Sequence, residues 1–354
     1  MRIFLYEHVT AGGCLLSDHD DSLPGSLLRE GRAMVETVAA DLAAIQSVSV
    51  TLMCDQRFPV NAADCRIVQV RTHDERQATF KRLAADADVV LVIAPECDDA
   101  LHSTCRQVEL CGGRLLGPGL PVVKLCSDKH ATAEHLAAAG VPVPRGITVD
   151  AGQALPTEFA YPAVTKPRDG CGSQDVRLIA NAADAALFGT SRWPARLECF
   201  CPGVAASVAV LCGPKELRAL IPCRQRLSDD GRFQYLGGAI PLPPKLARRA
   251  TELAIRAVQT LPEPRGYVGV DLVLHDRGGQ SHFADAKLGR SPDFVIEINP
   301  RLTTSYVGLR AACSGNLAEA MLRIAAGEPA ELSFRHEPLQ FDPDGTVHFI
   351  QGNP

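Results

Sequence analysis

Near the end of the chain, the ten residues Val295 to Thr304 read VIEINPRLTT. Val295, Ile296 and Ile298 have the composition of a short buried strand. Side chains two apart on a strand leave on the same side, so Glu297 and Asn299 are expected to emerge together while the aliphatic residues face the core. Pro300 ends the strand, and Arg301 stands at its mouth. A carboxylate, an amide oxygen and a guanidinium at the end of a buried strand are costly for stability alone. They suit a divalent cation that holds phosphates. From these ten residues, an Arg–Glu pair closing the end of a sheet is an equal reading.

Other stretches carry groups of matching chemistry. In Ser127-Asp128-Lys129 either of the first two residues can cap a helix with apolar positions Ala131, Leu136 and Ala139, stopped by Gly140. Lys129 then sits in the first turn, where it opposes the helix dipole. That is a poor place for a merely solvated charge and points to an anionic partner. Tyr161 to Pro167 reads as a strand that delivers Lys166 at its end. Arg168-Asp169-Gly170-Cys171-Gly172-Ser173 follows, and its two glycines and serine let backbone N–H groups turn toward one anion. With a second strand at Val176 to Ala180, this is the form of a phosphate-covering flap, or else of a plain hairpin turn. Asp271 lies on a strand from Gly266 to Leu274. Asp276 to Asp293 reads as a hairpin loop, which makes Asp271 and Glu297 neighbours on antiparallel strands, able to share a cation with Asn299.

The elements that position these groups come in two styles. Residues 1 to about 115 alternate strands (Arg2 to Tyr6, Val48 to Met53, Val89 to Ala94) with helices (Leu27 to Ile45, Gln77 to Ala85). That pattern predicts a doubly wound parallel sheet covered on both faces, with ligands beyond the carboxyl ends of its strands. The loop Glu7 to Gly13 lies at such an end and reads either as a substrate-facing loop or as a flexible connection. It has no G-x-G-x-x-G, which argues against a nicotinamide or flavin enzyme. GGRLLGPGLPVV, residues 112 to 123, reads as a strand-and-turn passage and contains no P-loop. Later segments are strand-rich: Leu197 to Gly203 leads into a strand at Ala206 to Leu211, and residues 217 to 240 read as two strands around Asp229-Asp230-Gly231. Pro243 to Thr260 and Leu317 to Ala326 read as helices, and Val347 to Ile350 is a late apolar run. The expected organisation is an N-terminal α/β domain at 1–115, a central lobe at 116–195 with the glycine flap, and a C-terminal lobe at 196–354 with the metal site.

Composition narrows the field. With 354 residues, 46% hydrophobic and 22% charged, the chain reads as a globular protein with room for two or three domains. A net charge of −5 offers no basic surplus for nucleic acid or a membrane surface. Neither a membrane span nor a signal peptide is read, so the cytoplasm is the expected location. The 13 cysteines are scattered and never form Cys-x-x-Cys, which suits small buried apolar residues better than a zinc knuckle. Cys171, between glycines, is the one singled out for reactivity.

Taken together, Ser127-Asp128-Lys129, Lys166, the flap Asp169 to Ser173, the hinge Leu197 to Gly203, GVD at 269–271 and EINPR at 297–301 resemble the motifs of the ATP-grasp superfamily, in order and across nearly the whole chain. Within it, MRIFLYEHVTAGG, LLREGRAM and LCSDKHATAEHLAAAGVPVP look like the tyramine–glutamate ligases of methanofuran biosynthesis and their bacterial relatives. The resemblance implies an N-terminal pre-ATP-grasp domain, two α+β lobes gripping ATP, and ATP-driven ligation of a carboxylate to an amine. It implies that Lys129 and Lys166 contact ATP, that Gly170, Gly172 and Ser173 close over its phosphates, and that Glu198, Cys199, Phe200 and Cys201 face the adenine edge. It further implies that Asp271, Glu297 and Asn299 bind Mg²⁺ or Mn²⁺, with two ions expected, and that Arg301 stabilises the phosphoryl group in flight. Two departures stand out. Val204-Ala205-Ala206-Ser207 lacks the acidic ribose ligand of many relatives, and Asp285 and Lys287 have no family role to inherit.

The chemistry implied is activation of a carboxylate as an acyl phosphate, which needs cations against phosphate oxygens and in-line positioning. The substrates expected are a glutamate-like acid and a tyramine-like amine. The amine must attack uncharged, although an aliphatic ammonium has a pKa near about 10, and Glu7 or His8 is a candidate base. Arg224 and Arg226 are candidates to steer the acid, or else an exposed strand pair. Another substrate pair, of amino acids or peptides, and a non-catalytic ATP-binding sensor are the competing readings. The sequence leaves the oligomeric state open.

Overall fold

A computed structural model describes residues 1–14, 25–275 and 293–350. The first sheet is parallel, in the order β3-β2-β1-β4, from β1 (Arg2–Glu7), β2 (Ser49–Asp55), β3 (Arg66–Val70) and β4 (Val89–Ile93). Helix α1 (Gly25–Ala43) covers one face, where Ile3 and Leu5 pack with Met34, Val35 and Val38. On the other face Phe4 and Tyr6 pack with Phe80 of α2 (His73–Asp86) and Leu101 of α3 (Ala100–Leu110). Burial on both faces explains the unbroken apolar runs of β1 and β4.

The passage after this sheet differs from its expected form. Leu115 makes a single bridge to Val90, and residues from Leu120 enter α4 (Leu120–Cys126). Pro121 lies in its first turn, where the preset φ and missing N–H favour a helix start. Helix α5 (Lys129–Ala138) follows, with the Asp128 carboxylate accepting from the His130 and Ala131 N–H groups, and Gly140 turns the chain out at φ +74.

The second sheet is antiparallel, in the order β5-β8-β6-β7: β5 (Gly146–Val149), β6 (Ala163–Pro167), β7 (Arg177–Ile179) and β8 (Ala195–Cys199). Its buried face, with Ala163, Ile179 and Leu197, packs against α6 (Ala182–Phe188) through Ala185. The opposite face presents Val164, Lys166 and Glu198 to a cleft.

The third sheet forms the other wall. It runs β14-β13-β9-β11-β12-β15-β16, with β10 beside β9. Its strands are β9 (Val204–Cys212), β10 (Leu217–Ala219), β11 (Cys223–Leu227), β12 (Tyr235–Ile240), β13 (Gly266–Leu274), β14 (Phe294–Asn299), β15 (Leu339–Phe341) and β16 (Val347–Phe349). Residues 217 to 240 therefore hold three strands, because Leu217–Ala219 turns back on β9. Helix α7 (Pro244–Val258) lays Ala250, Leu253, Ala254 and Ala257 on the face of β13 bearing Val268, Val270 and Leu272. The 3-1-3 spacing of those α7 residues is that of a helix stripe, and it frees the other face of β13 for the cleft. Helices α8 (Ser305–Ala312) and α9 (Leu317–Ala325) return to pack on α1. No helix among the described residues is long and apolar enough to cross a membrane. The expected loop Asp276 to Asp293 lies, but for Asp293, outside the described residues, as do Asp285 and Lys287.

Candidate active site

The strand that carries Glu297 is not a regular one. Gly269, Val270 and Asp271 pair with Asn299, Ile298 and Glu297, but Leu272 pairs with Val295, so Ile296 is an extra residue on β14. Strict alternation would send Val295 out with Glu297 and Asn299. The bulge resets the phase. Val295 and Ile298 join the core under α7, while Ile296, Glu297 and Asn299 all line the cleft. Ile296 was expected in the core; its place on the cleft wall follows from this bulge.

Asp271 and Glu297 are thus cross-strand partners facing one space. Asp271 accepts hydrogen bonds from the Gln225 amide at 2.9 Å and the Asn299 amide at 3.1 Å. Burial, reinforced by the Glu297 charge, pushes its pKa up to about 7. Like charges this close call for a cation between them. Among the described residues no three His, Cys, Asp or Glu side chains cluster as a metal cage. Two carboxylates and an amide oxygen nevertheless fit Mg²⁺ or Mn²⁺, which take few protein ligands and complete their shells with phosphate and water.

Three cations face this pair. Lys129 is buried at the start of α5, its ammonium 3.1 Å from Glu297 and donating to the Gly170 carbonyl. Burial opposes its charge, but Glu297 and Glu96 outweigh that and raise its pKa. Lys166 contacts Glu198 at 2.6 Å and donates to the Ile296 carbonyl at 3.3 Å, so it bridges the two cleft walls. The other oxygen of Glu198 meets Arg196 at 2.7 Å, and Arg196 in turn donates to the Pro144 carbonyl. Both carboxylate oxygens of Glu198 are therefore engaged by cations, and at the hinge the Cys199 and Phe200 N–H groups donate to the Arg145 and Pro162 carbonyls at 2.8 and 3.0 Å. The third cation, Arg301, grips Glu96 through Nη2–Oε2 and Nε–Oε1 contacts of 2.9 Å each. Burial would lower its pKa, yet Glu96 raises it and keeps the guanidinium charged.

Glu96 had escaped notice in the sequence. It follows β4 at the carboxyl end of the parallel sheet, so the N-terminal domain reaches the site through the Glu96–Arg301 pair. The position itself was the available signal, since such ends are where ligands bind. Gln225 was also missed. In Cys223-Arg224-Gln225-Arg226-Leu227 it is Gln225 and Leu227 that line the cleft, whereas Arg226 pairs with Asp342 and Arg224 is exposed. Alternation on β11 puts the arginines on the other face, so they do not steer the acid within the cleft.

The N-terminal loop is likewise set back from the cleft lining. Glu7 spends its carboxylate on the Val9 and Thr10 N–H groups, at 3.1 and 2.7 Å. Burial and Arg76 lower the His8 pKa to about 4. Neither residue lines the cleft, which removes the basis for either as the amine's base.

Gly170, Cys171, Gly172 and Ser173 line the cleft, with Gly172 and Ser173 at φ +59 and +58. The left-handed backbone costs the glycine nothing and is uncommon for the serine. Cys171 is buried, with its sulfur 3.3 Å from that of Cys97; its hydrogen bond to Cys97 and burial raise its pKa, which disfavours a reactive thiolate. At the hinge, Phe200 lies stacked beside Phe233, ring centroids 6.1 Å apart and planes at 21°.

The cleft measures about 250 Å³ and is lined from both antiparallel sheets, the flap and α1. Two sheets closing on paired carboxylates, two lysines and an arginine make a site built to grip a polyphosphate. A family model described as an ATP-grasp domain matches residues 126–305, and one described as a pre ATP-grasp 3 domain matches residues 48–122. The chain belongs to the ATP-grasp family. It is an ATP-dependent, ADP-forming ligase that makes carbon–nitrogen bonds. It is 26% identical over 325 residues to the tyramine–L-glutamate ligase of Methanocaldococcus jannaschii, covering 90% of this chain and 89% of that protein. To the D-alanine–D-alanine ligase of Desulforudis audaxviator it is 32% identical over 247 residues, 62% of this chain and 74% of the other. An Archaeoglobus fulgidus protein placed in the ATP-grasp superfamily superposes with a TM-score of 0.70 at 22% identity, over 97% of this chain and 92% of that one. That last likeness is one of fold.

Proposed function

We propose that the protein joins the γ-carboxylate of glutamate, or a glutamate-like acid, to tyramine or a similar arylethylamine through an acyl phosphate. The observation that carries the ligase chemistry is the Asp271–Glu297 pair faced by Lys129, Lys166 and Arg301 in one cleft. The substrate pair rests on similarity to the tyramine–glutamate ligase, which extends over 90% of the chain.

Each residue has a role that follows from its surroundings. Lys166 is held at fixed height by Glu198 and the Ile296 carbonyl, so its ammonium is oriented before nucleotide arrives. Lys129, tied to Glu297 and Gly170, places positive charge under the flap. Gly170, Gly172 and Ser173 cover phosphates with backbone N–H groups. The hinge from Cys199 to Cys201 faces the adenine edge. Asp271, Glu297 and Asn299 would hold Mg²⁺ or Mn²⁺, one ion or two, which neutralises phosphate oxygens when bound. Arg301, kept charged by Glu96, stabilises the phosphoryl group as it passes to the acid.

A second reading keeps the chemistry and changes the substrates to two amino acids. The 32% identity to a D-alanine–D-alanine ligase favours it. Incubation with Mg-ATP, glutamate and a panel of amines, followed by ADP release, separates the two. Tyramine-dependent ADP release is expected, and release only with an amino acid as acceptor would support the second reading.

A further inference from the structure

The carboxylates of the cleft differ in what they hold. Glu297 is paired with Lys129, and Glu198 with Lys166 and Arg196. Asp271 takes two amide N–H groups, and Glu96 is matched to Arg301. Glu30 is the exception. It projects from α1 into the cleft lining, where one oxygen accepts from the Thr304 hydroxyl at 2.9 Å. Among the described residues no cation comes within ion-pair distance of it. Burial raises its pKa, and the opposing influences of the Thr304 hydrogen bond, Arg301 and Arg29 do not cancel that rise. A half-buried carboxylate without a counter-ion is unfavourable unless a cation arrives.

We propose that Glu30 receives the ammonium group of the amine substrate and takes its proton. The proposal rests on the carboxylate–amine ligase reading given above. Position supports it. Thr304, the hydrogen-bond partner of Glu30, lies three residues beyond Arg301, so Glu30 stands at the phosphoryl-transfer end of the cleft and not at the hinge. Leu227 and Tyr235 line the same cleft and offer apolar and aromatic surface to the body of an arylalkyl amine. The substrate class is therefore a primary ammonium on an apolar or aromatic stem.

The step balances as follows. The ammonium gives one proton to the Glu30 carboxylate and becomes a neutral amine. Its nitrogen attacks the acyl carbon, forming the C–N bond, and the C–O bond to phosphate breaks. The second nitrogen proton leaves with hydrogen phosphate, and Glu30 returns its own to solvent. Transfer from an ammonium of pKa about 10 to a carboxyl is uphill, so a raised carboxyl pKa narrows the gap and irreversible acyl transfer draws the amine forward.

Hydroxylamine gives a direct test, because it is uncharged at neutral pH and needs neither an ammonium site nor a base. With Mg-ATP and glutamate, the wild type should form γ-glutamyl hydroxamate. Glu30→Gln keeps the size of the side chain and the Thr304 bond. It should retain the hydroxamate rate while kcat/KM for tyramine falls roughly 10- to 100-fold, the scale of a lost charge-assisted hydrogen bond. Glu30→Asp, which keeps the charge at a shorter reach, should fall between. Equal tyramine kcat/KM in Glu30→Gln and wild type would overturn the role, as would parallel loss of both activities. Failure of the wild type to make hydroxamate with any acid would instead overturn the underlying ligase reading, and this proposal with it.

Discussion

Asp271 and Glu297 oppose one another across an antiparallel strand pair, and Asp271 has a pKa of about 7 where an ordinary aspartate has 3.8. Burial is the larger cause and Glu297 the second. The pair is destabilising as two bare charges and favourable once a cation lies between them.

A pH dependence follows with a defined sign. Between pH 3.8 and about 7 the folded protein holds a proton that the unfolded chain has lost. The metal-free protein should therefore lose stability as pH rises through that window and level off above it. A divalent cation displaces the proton, so its stabilising effect should grow over the same window. Unfolding midpoints in chelator and in Mg²⁺, across pH, check this; Asp271→Asn should remove the Asp271 part of the slope. A metal-induced shift that is flat with pH would contradict it.

Glu297→Gln keeps shape and loses the charge that faces the metal site and Lys129. Turnover should fall roughly 100-fold or more, the scale of losing one preorganised electrostatic group. Circular dichroism should show an unchanged fold, with an unfolding midpoint lowered by only a few degrees because Lys129 still reaches Gly170. Wild-type turnover would rule out the metal role.

The Glu96–Arg301 pair connects the N-terminal domain to the site, with the Glu96 side chain 1% exposed and Arg301 13%. Breaking it from one side leaves a buried charge alone. Glu96→Gln should cost roughly 3 kcal/mol of stability and reduce turnover by misplacing Arg301. Glu96→Gln with Arg301→Met should regain most of that stability in urea denaturation yet stay inactive. Additive losses in the double variant would show that the pair is not coupled.

Much of the site was readable because its residues follow local rules. Asp271 and Glu297 fall on apolar strands whose period sets their direction, and Asp128 announces the helix that carries Lys129. What escaped depends on contacts between distant segments. The bulge at Ile296 is defined only against β13, and composition alone placed Ile296 in the core. Glu96 is 205 residues from Arg301, and Glu30 is 274 from Thr304. No spacing rule links positions that far apart. Arg224 and Arg226 attracted notice as cations, but alternation on β11 turned Gln225 inward in their place. Residues 112 to 123 read as a strand-and-turn passage, yet Pro121 falls in a first turn, where its preset φ favours the start of α4.

The central claim is that this cleft activates a carboxylate by transferring a phosphoryl group to it. Glutamate labelled with ¹⁸O in the γ-carboxylate, incubated with enzyme, Mg-ATP and tyramine, tests it most directly. The account predicts that each phosphate released carries one ¹⁸O from glutamate, formed in step with ADP and amide. Unlabelled phosphate, or ATP bound without turnover on any carboxylate and amine, would contradict it.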